Sequence, residues 1–534
     1  MCNKLFKYTM IFSMILFAGA CTDLEEDLVG DITEDIVVDG IPTNEGPGGD
    51  GPLTALYAEL RNSGTANHGS YYSIQEITTD EQFIGAKGGD WFDGGDLIRL
   101  HQHTYTSNHP FISTTWVATY NAIATANDNI ASGELTAAEE AQARGVRAYF
   151  YWRLLDCFGR VKIATELDPD PPQASREEVF NFVESELLDI LGITEVSADM
   201  DLSSSLLEDS GSAYTLNRYG AMGLLAKLYL NAEVYTGTPR WEEAELAASY
   251  VIDSGVYQLC GEGCSVKNLG KRPDVDKDPE ELVGYAAVFA PNNEGNPEHI
   301  FSVRYDEVNG AGMNFSQMNL HYSSQFTFNF QDQPWNGYAT LEEFYNSYED
   351  GDLRKEASFL VGPQLDFSGS ALLDFAADDD DLQVNYTPEI NELTPNSIRQ
   401  AGARAAKFSF KQLGRPEMDN DFPIVRLGEM YLIRGEAKAR QAGGDWNVAE
   451  DDVNVLRARA GVEEYNGTLN AEEFLAERGR EMFVETARRT DLIRFGRYND
   501  EWWEKPASQP FVNIFPIPQG QLNTDPDLSQ NPGY

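Results

Sequence analysis

The clearest pattern of apolar and polar positions lies near the C-terminus. Over residues 422–446, apolar and long side chains recur every three or four positions, which is typical of an amphipathic helix with one buried face. Asp421 is a candidate N-cap, Pro423 is tolerated in a first turn, and two glycines end the run. The same spacing resumes after the glycines. The pattern therefore predicts a helical hairpin over 422–461.

Two stretches upstream repeat this design. They span 139–191, interrupted by a proline-rich run, and 217–255, interrupted by a Gly-Thr-Pro turn. Each resembles a tetratricopeptide-type helical pair. Such pairs bury their apolar faces only by stacking, so three of them predict a helical layer with a concave side. Three unrelated amphipathic hairpins in an ordinary all-α protein remain the alternative.

The chain between the helical pairs is rich in Gly, Asp, Asn and Pro. Residues 75–110 and 261–415 lack sustained helical spacing and contain short alternating segments, such as 299–305, that predict strands. Long irregular insertions on a rigid scaffold often carry binding sites. We therefore expect a mainly α fold, with a tetratricopeptide-like helical-repeat scaffold, a loop-rich and irregular ligand-binding half, and a few short strands.

The N-terminus has the form of an exported lipoprotein. In residues 1–20, two lysines precede an apolar run that is too short to span a membrane, and small residues lie just before Cys21. We expect cleavage there and lipidation of Cys21, with ordinary cleavage that leaves an incidental thiol as the alternative. Residues 21–51 are acidic and rich in Gly and Pro, which predicts a flexible tether. The single folded domain then follows over 52–534.

Charge narrows the choice of ligand. The chain has 39 Lys and Arg against 87 Asp and Glu, a formal net charge of -48. This charge repels nucleic acid and anionic lipid, so both are excluded as partners. It also disfavours acidic polysaccharides unless a local basic patch overrides it. A neutral ligand is the simpler expectation.

Two local patterns concern the stability of the loops. Cys260 and Cys264 frame a Cys-Gly-Glu-Gly-Cys segment, where a short disulfide is possible in an oxidising compartment. Asn293, Glu294 and Glu298 offer oxygen ligands for a possible structural calcium ion. A solvated acidic loop is the alternative to the calcium site.

Two tryptophans in the loops are candidates for sugar binding. A flat ring covers the apolar C–H face of a pyranose, while nearby polar groups bond to its hydroxyls. Trp91 lies in a Gly- and Asp-rich loop, and Trp335 lies in a turn before an amphipathic segment. The candidate glycan-binding residues are Asp80, Asp90, Trp91, Trp335, Asn336 and Tyr338. The alternative for Trp91 is a loop anchor folded into the core.

Signs of catalysis are weak. The sequence has no GxSxG elbow, HExxH helix or phosphate-cradling loop. His101, His103 and His109 could suggest a metal, but they fit structural histidines in a polar loop better. A glycosidase needs only two carboxylates, and a chain with 87 acids supplies many pairs by chance. A secreted glycoside hydrolase on a helical scaffold therefore stays as the alternative function.

Opposite charges crowd the segment 477–498 at helical spacing. Paired charges of this kind fix the orientation of packed helices more than they add stability. The segment therefore predicts an ion-pair clamp between the last helices, and an active site is the less favoured interpretation. The charged residues concerned are Arg478, Glu481, Glu485, Arg488, Arg489, Asp491 and Arg494.

The C-terminal third resembles a known family. FPIVRLGEMYLIRGEAKARQAGG (422–444), ERGREMFVETARRTDLIRFGRY (477–498) and FPIPQGQLNTDPDLSQNPGY (515–534) are similar to the end of SusD/RagB family nutrient-uptake lipoproteins of the outer membrane. The resemblance extends from the lipid-attachment signal at Cys21 to Tyr534.

The resemblance implies a non-catalytic protein without a cofactor, lipid-anchored in the outer membrane and facing outward. It implies capture of oligosaccharide or polysaccharide, or in some members peptide, for delivery to a SusC-like TonB-dependent transporter. It also adds Arg404 to the possible ligand contacts.

Overall fold

Helices supply most of the regular structure. The computed structural model describes residues 51–166, 170–272, 275, 277–375 and 382–534. Cys21, the signal and all but the last residue of the tether lie outside these residues. The helices are α1 (Thr54–Asn62), α2 (Tyr71–Glu76), α3 (Asp96–His101), α4 (Pro110–Ala131), α5 (Ala137–Phe158), α6 (Arg176–Leu191), α7 (Arg218–Leu230), α8 (Ala232–Thr236), α9 (Trp241–Asp253), α10 (Tyr285–Val288), α11 (Phe315–Asn319), α12 (Gln325–Phe328), α13 (Glu342–Asn346), α14 (Leu353–Ser358), α15 (Leu427–Gln441), α16 (Glu450–Ala460), α17 (Ala471–Met482), α18 (Arg488–Arg494) and α19 (Gln519–Thr524).

The strands are short and pair two by two. Each pair is antiparallel: β1 with β5, β2 with β3, β4 with β10, β6 with β9, and β7 with β8. Their bounds are β1 (Gln82–Ile84), β2 (Ser265–Lys267), β3 (Glu281–Val283), β4 (His299–Val303), β5 (Tyr338–Thr340), β6 (Phe359–Leu360), β7 (Gly362–Pro363), β8 (Asn385–Tyr386), β9 (Arg404–Ala405) and β10 (Phe422–Arg426). The mainly α fold with few short strands is confirmed.

The longer helices stack in sequence. Helix α4 packs on α5, α5 on α6, α6 on α7, α7 on α9, α9 on α15, and α15 on α16. Capping boxes at Thr136 and Ser175 begin α5 and α6. Gly223 in α7 permits close approach to β10, since a Cβ there would lie 2.4 Å from Val425. The helical pairs read from the sequence thus form one continuous layer.

The segment before α15 corrects the expectation of a helix from residue 422. Residues Phe422–Arg426 form β10, which pairs with β4 so that Phe422 lies opposite Val303. Asp421 does not cap α15. Its carboxylate accepts from the Tyr214 hydroxyl at 2.6 Å and from the Tyr305 amide at 3.0 Å, and burial raises its pKa to about 7. Tertiary pairing with β4 overrides the local pattern here.

A group of fully or nearly buried charges joins α16, α17 and β10 to the loop half. We call Arg354, Arg426, Arg459, Glu298, Glu477, Glu481 and Glu485 the buried ion network. Arg426 donates to Glu298 and Glu481 at 2.8 Å each. Arg354 donates to Glu477 at 2.6 Å. Arg478 of α17 also donates to Asp491 of α18 at 2.8 Å, which is the ion-pair clamp expected between the last helices.

The C-terminal segment returns to the first helices. The Asn531 amide donates to the carbonyls of Phe158 and Phe515 at 2.8 Å each. The Tyr105 hydroxyl donates to the carbonyl of Val512 at 2.9 Å. The two ends of the folded body are thus joined by buried hydrogen bonds.

The side chains proposed for calcium have other partners. The Glu298 carboxylate accepts from Arg426 and Arg459, and the Asn293 amide bonds to the backbone of Asp421. Glu294 is exposed and pairs with Arg304. The suggested calcium site is therefore wrong, because its best ligand already compensates buried arginines.

Cysteines and histidines have structural positions. The sulfur atoms of Cys260 and Cys264 are joined as a disulfide. His101 and His103 are buried, and each places its Nε2 at 2.8 Å from a backbone carbonyl. His109 accepts from the Phe111 amide at the start of α4. The three histidines serve the fold, as the non-metal interpretation expected.

Candidate ligand-binding site

Pairing of β1 with β5 brings the two loop tryptophans together. Ile84 lies opposite Tyr338, so the loop that leaves β1 and the turn that enters β5 meet at the same edge. Trp91 and Trp335 are 244 residues apart, yet the indole N–H of Trp91 donates to the Trp335 carbonyl at 2.7 Å. The sequence analysis placed both tryptophans in one site, and the pairing of β1 with β5 is what brings them together.

The backbone is unusual at Trp91 and at the residue that follows Trp335. Trp91 has φ +58° and Asn336 has φ +57°, the left-handed region that side chains other than glycine rarely adopt. The Trp91 ring lies against Gly337, where an added Cβ would approach the indole Cζ2 to 2.6 Å. Strain of this kind persists where surrounding contacts impose it, and it is common at ligand sites.

A histidine that the sequence analysis missed connects the rings. The ring of His68 meets those of Trp91, Trp335 and Tyr338 nearly edge-on, with centroids 5.2, 6.3 and 5.8 Å away. Its Nδ1 lies 2.9 Å from the Tyr338 hydroxyl. Burial lowers the pKa of His68 to about 4, so the ring is neutral at physiological pH. We call Trp91, Trp335 and His68 the ring platform.

The platform is only partly exposed. Trp335 is 37% exposed, whereas Trp91 is half-buried and packs against the main core. Trp91 therefore anchors its loop in the core and also forms one side of the platform. Both interpretations of Trp91 offered by the sequence apply in part. Asp90 is exposed beside it, and the Tyr322 hydroxyl donates to its carboxylate. Asp90 therefore offers a fixed acceptor next to the rings.

Other predicted contacts lie beneath the platform. Tyr338 is fully buried and its hydroxyl lies 2.7 Å from that of Ser73. Asn336 is fully buried and donates to the Arg399 carbonyl at 3.0 Å. Arg404, also fully buried, donates to the carbonyls of Tyr338 at 3.0 Å and Arg399 at 2.5 Å. These three side chains shape the loops and leave no polar surface for direct contact.

Asp80 belongs to another part of the molecule. Both of its carboxylate oxygens accept from Arg488 in α18 at 2.7 Å. The pair is partly exposed and ties the loop before β1 to the C-terminal helices. The prediction that Asp80 lies beside the tryptophans is therefore wrong. Its partner Arg488 comes 408 residues later in the chain, so local sequence could not reveal the pair.

The platform geometry suits one kind of chemistry. Partly exposed ring faces and edges can cover the apolar side of a sugar, and Asp90 can accept from its hydroxyls.

None of the helices in the described part of the chain is long and apolar enough to cross a membrane.

The chain is similar to known proteins in sequence and in fold. Residues 402–534 match the model of the SusD family. Over 527 aligned residues the chain is 26% identical to the starch-binding protein SusD of Bacteroides thetaiotaomicron, and the match covers 87% of this chain and 85% of that protein. The chain is thus similar to SusD family proteins along most of its length, and its C-terminal part matches the family model.

Solved structures share the fold of this chain. Surface glycan-binding protein A of Bacteroides thetaiotaomicron, solved with laminarihexaose, superposes with a TM-score of 0.67 at 20% identity, covering 90% of this chain and 98% of that one. A laminarin-binding SusD-like protein gives 0.65 at 21% identity with the same coverage. At these identities the likeness establishes the fold.

The names of these SusD family relatives describe binding. One binds starch and another binds laminarin, and neither is named for catalysis. This confirms the expectation of a non-catalytic protein. The hydrolase alternative finds no support in the relatives.

Proposed function

We propose that this SusD-like protein captures oligosaccharide or polysaccharide at the cell surface. The ring platform holds the sugar, and the chain then delivers it to a SusC-like TonB-dependent transporter. The observation that carries the proposal is the contact between Trp91 and Trp335, which brings two indoles to one loop edge with Asp90 beside them. The glycan-binding names of the relatives support the same ligand class.

The proposed location rests on the sequence. The signal and the small residues before Cys21 support lipidation at this cysteine and anchoring in the outer membrane, facing outward. The acidic segment that follows would hold the folded body away from the bilayer. This arrangement suits a protein that passes a ligand to a membrane transporter.

A panel of polysaccharides tests the ligand class. Trp335→Ala in the full chain should weaken binding of the recognised glycan by about 1–3 kcal/mol, the cost of losing a stacking ring. The melting temperature should stay nearly unchanged, because Trp335 is partly exposed. Phe511→Ala is the control, since Phe511 is similarly exposed at 39% in the C-terminal segment. Equal binding by parent and Trp335→Ala would remove the platform from the proposal. Release of reducing ends during incubation would instead favour a hydrolase.

Membrane fractionation tests the lipid anchor at Cys21, and a pull-down tests the transporter partner. Cys21→Ala should move the protein from the membrane fraction to the soluble fraction. The lipidated parent, solubilised in mild detergent, should recover a TonB-dependent receptor through a large interface. A Cys21→Ala protein that stays with membranes lacking the transporter would contradict the anchor. Recovery of the parent alone in several detergents would contradict the partner.

A further inference from the structure

Positive charge gathers behind the ring platform of this strongly acidic chain. Lys87, Arg399 and Arg404 lie in the loops that carry the platform, and within the described part of the chain none of them lies within ion-pair distance of a carboxylate. In the buried ion network, by contrast, Arg354 and Arg426 each contact several carboxylates. Three basic side chains without a carboxylate partner among the residues described therefore lie near the platform.

Backbone hydrogen bonds hold the three cations together. The Lys87 ammonium donates to the carbonyls of Gly85 at 3.1 Å and Gly337 at 3.3 Å, directly below the Trp91 ring. Arg404 donates to the Arg399 carbonyl at 2.5 Å. Burial lowers the pKa of Lys87 well below its usual value, and the charges of Arg404 and Arg399 add to this effect against Asp90. The cations thus lie close enough to repel one another.

Three acidic groups in these loops have partners. The Asp90 carboxylate accepts from the Tyr322 hydroxyl, and Asp374 faces His321 at 3.3 Å. Glu392 accepts from the Asn396 amide at 3.0 Å. These carboxylates are hydrogen-bonded within the loops and lie outside ion-pair distance of the three cations.

Arg399 differs from its two neighbours. Lys87 and Arg404 are buried and bonded to carbonyls, whereas Arg399 is half-buried. Its Nε is buried without a partner, and its guanidinium makes no hydrogen bond to any other described residue. Its carbonyl accepts from Asn336, the residue after Trp335, so the arginine lies at the edge of the platform. A guanidinium without a partner among the described residues can take a bidentate oxyanion.

We propose that the ring platform takes a glycan bearing an anionic group, a uronate carboxylate or a sulfate ester, and that Arg399 contacts this group. The inference rests on the proposed glycan binding and deepens it by naming the ligand class. It revises the expectation of a neutral ligand, because Arg399 has no carboxylate partner among the described residues although the chain as a whole is acidic.

Paired ligands test the inference with the full-length chain in mild detergent. Calorimetry should compare polygalacturonate with its methyl-esterified form, and a sulfated galactan with its desulfated form. We expect the parent to bind one charged member at least about tenfold more tightly than its neutral partner. The pair that discriminates identifies the carboxylate or the sulfate as the source. Raising the salt from about 0.05 to 0.5 M should reduce this preference.

Variants separate this inference from the proposed function. Arg399→Ala should abolish the preference and Arg399→Lys should keep part of it, both without a change in melting temperature. Arg415→Ala is the control, because Arg415 is exposed with a weak 4.0 Å ion pair in another loop. If neutral members bind through Trp335 and Arg399→Ala behaves as the parent, the anionic ligand is wrong and glycan binding stands. If no polysaccharide binds, or Trp335→Ala binds every ligand as the parent does, the proposed site is wrong as well.

Discussion

The ring platform and the buried ion network use polar groups in opposite ways. In the network, Arg426 and Glu481 are almost fully buried and each bonds to several opposite charges. In the platform, rings are half-exposed and the backbone at Trp91 is strained, and the nearby Arg399 guanidinium has no partner among the residues that the structure describes. The network is complete without any other molecule. The platform has contacts still to be made, and this separates a binding surface from a structural cluster.

The largest effect is expected where the network is broken. Arg426→Ala would leave Glu298, Glu481 and Glu485 buried with too little positive charge, which should cost about 3–5 kcal/mol of unfolding free energy. Urea denaturation measures this loss. Arg497→Ala, which removes only exposed ion pairs, should stay within about 0.5 kcal/mol of the parent. A loss below about 1 kcal/mol for Arg426→Ala would mean that the network reorganises around the gap.

Acid should weaken the network next. Burial alone would raise the pKa of Glu477, but Arg354 and Arg480 outweigh burial and lower it to about 2 from 4.5. Because the folded pKa is lowered, the stabilisation is present above pH 4.5 and is lost as the pH falls towards 2. This carboxylate accounts for about 3 kcal/mol.

Denaturation curves between pH 6 and 2.5 measure the acid effect. Glu477→Gln should be less stable at neutral pH, since it leaves Arg354 and Arg480 without their shared partner, and its stability should fall less steeply with acid. Parallel curves for parent and variant would show that Glu477 titrates normally in the folded protein.

A smaller change should disturb the platform without breaking the fold. Gly337→Ala would place a Cβ 2.6 Å from the Trp91 ring and displace it. We expect glycan affinity to fall by about 1–2 kcal/mol and stability to fall by less, because the ring borders solvent. Gly89→Ala is the matched control, since a Cβ there meets nothing within 4 Å. Unchanged affinity in Gly337→Ala would show that the position of Trp91 does not matter for binding.

The smallest effect concerns pH at the platform. His68 is held neutral because burial lowers its pKa to about 4. Affinity for the recognised glycan should therefore stay constant from pH 5 to 8, the range in which an unperturbed histidine with a pKa of 6.5 would titrate. Calorimetric titrations across this range check it. An inflection near pH 6.5 would indicate that His68 is open to water in solution.

Local pattern was enough for most of the fold. The helices α5, α6, α9 and α16 follow from three- and four-residue spacing, because burial of one face leaves a periodic trace in the sequence. Strand β10 left no such trace. Asp421 and Pro423 fit a helix start equally well, and only the distant partner β4 decides between helix and strand.

The candidate site could be predicted from the sequence only in part, for a similar reason. Trp91 and Trp335 could be found because large rings in Gly- and Asn-containing loops lack a helical face to claim them. His68 could not, since its role depends on three rings that meet only in the folded chain. Tyr338 and Arg404 were placed in the right neighbourhood, but their complete burial depends on long-range packing.

The closure of the C-terminal segment has a consequence for secretion. The Asn531 amide donates to the Phe158 carbonyl, and the Val512 carbonyl accepts from the Tyr105 hydroxyl. Residues near the C-terminus thus provide hydrogen-bond partners for the first third of the chain. A chain that crosses a membrane from its N-terminus delivers those early helices first and their final partners last. In the proposed export of this chain, the first helices would expose apolar surface until the closing residues emerge. Export should then depend on factors that keep an unfinished chain from aggregating while its last segment is still in transit.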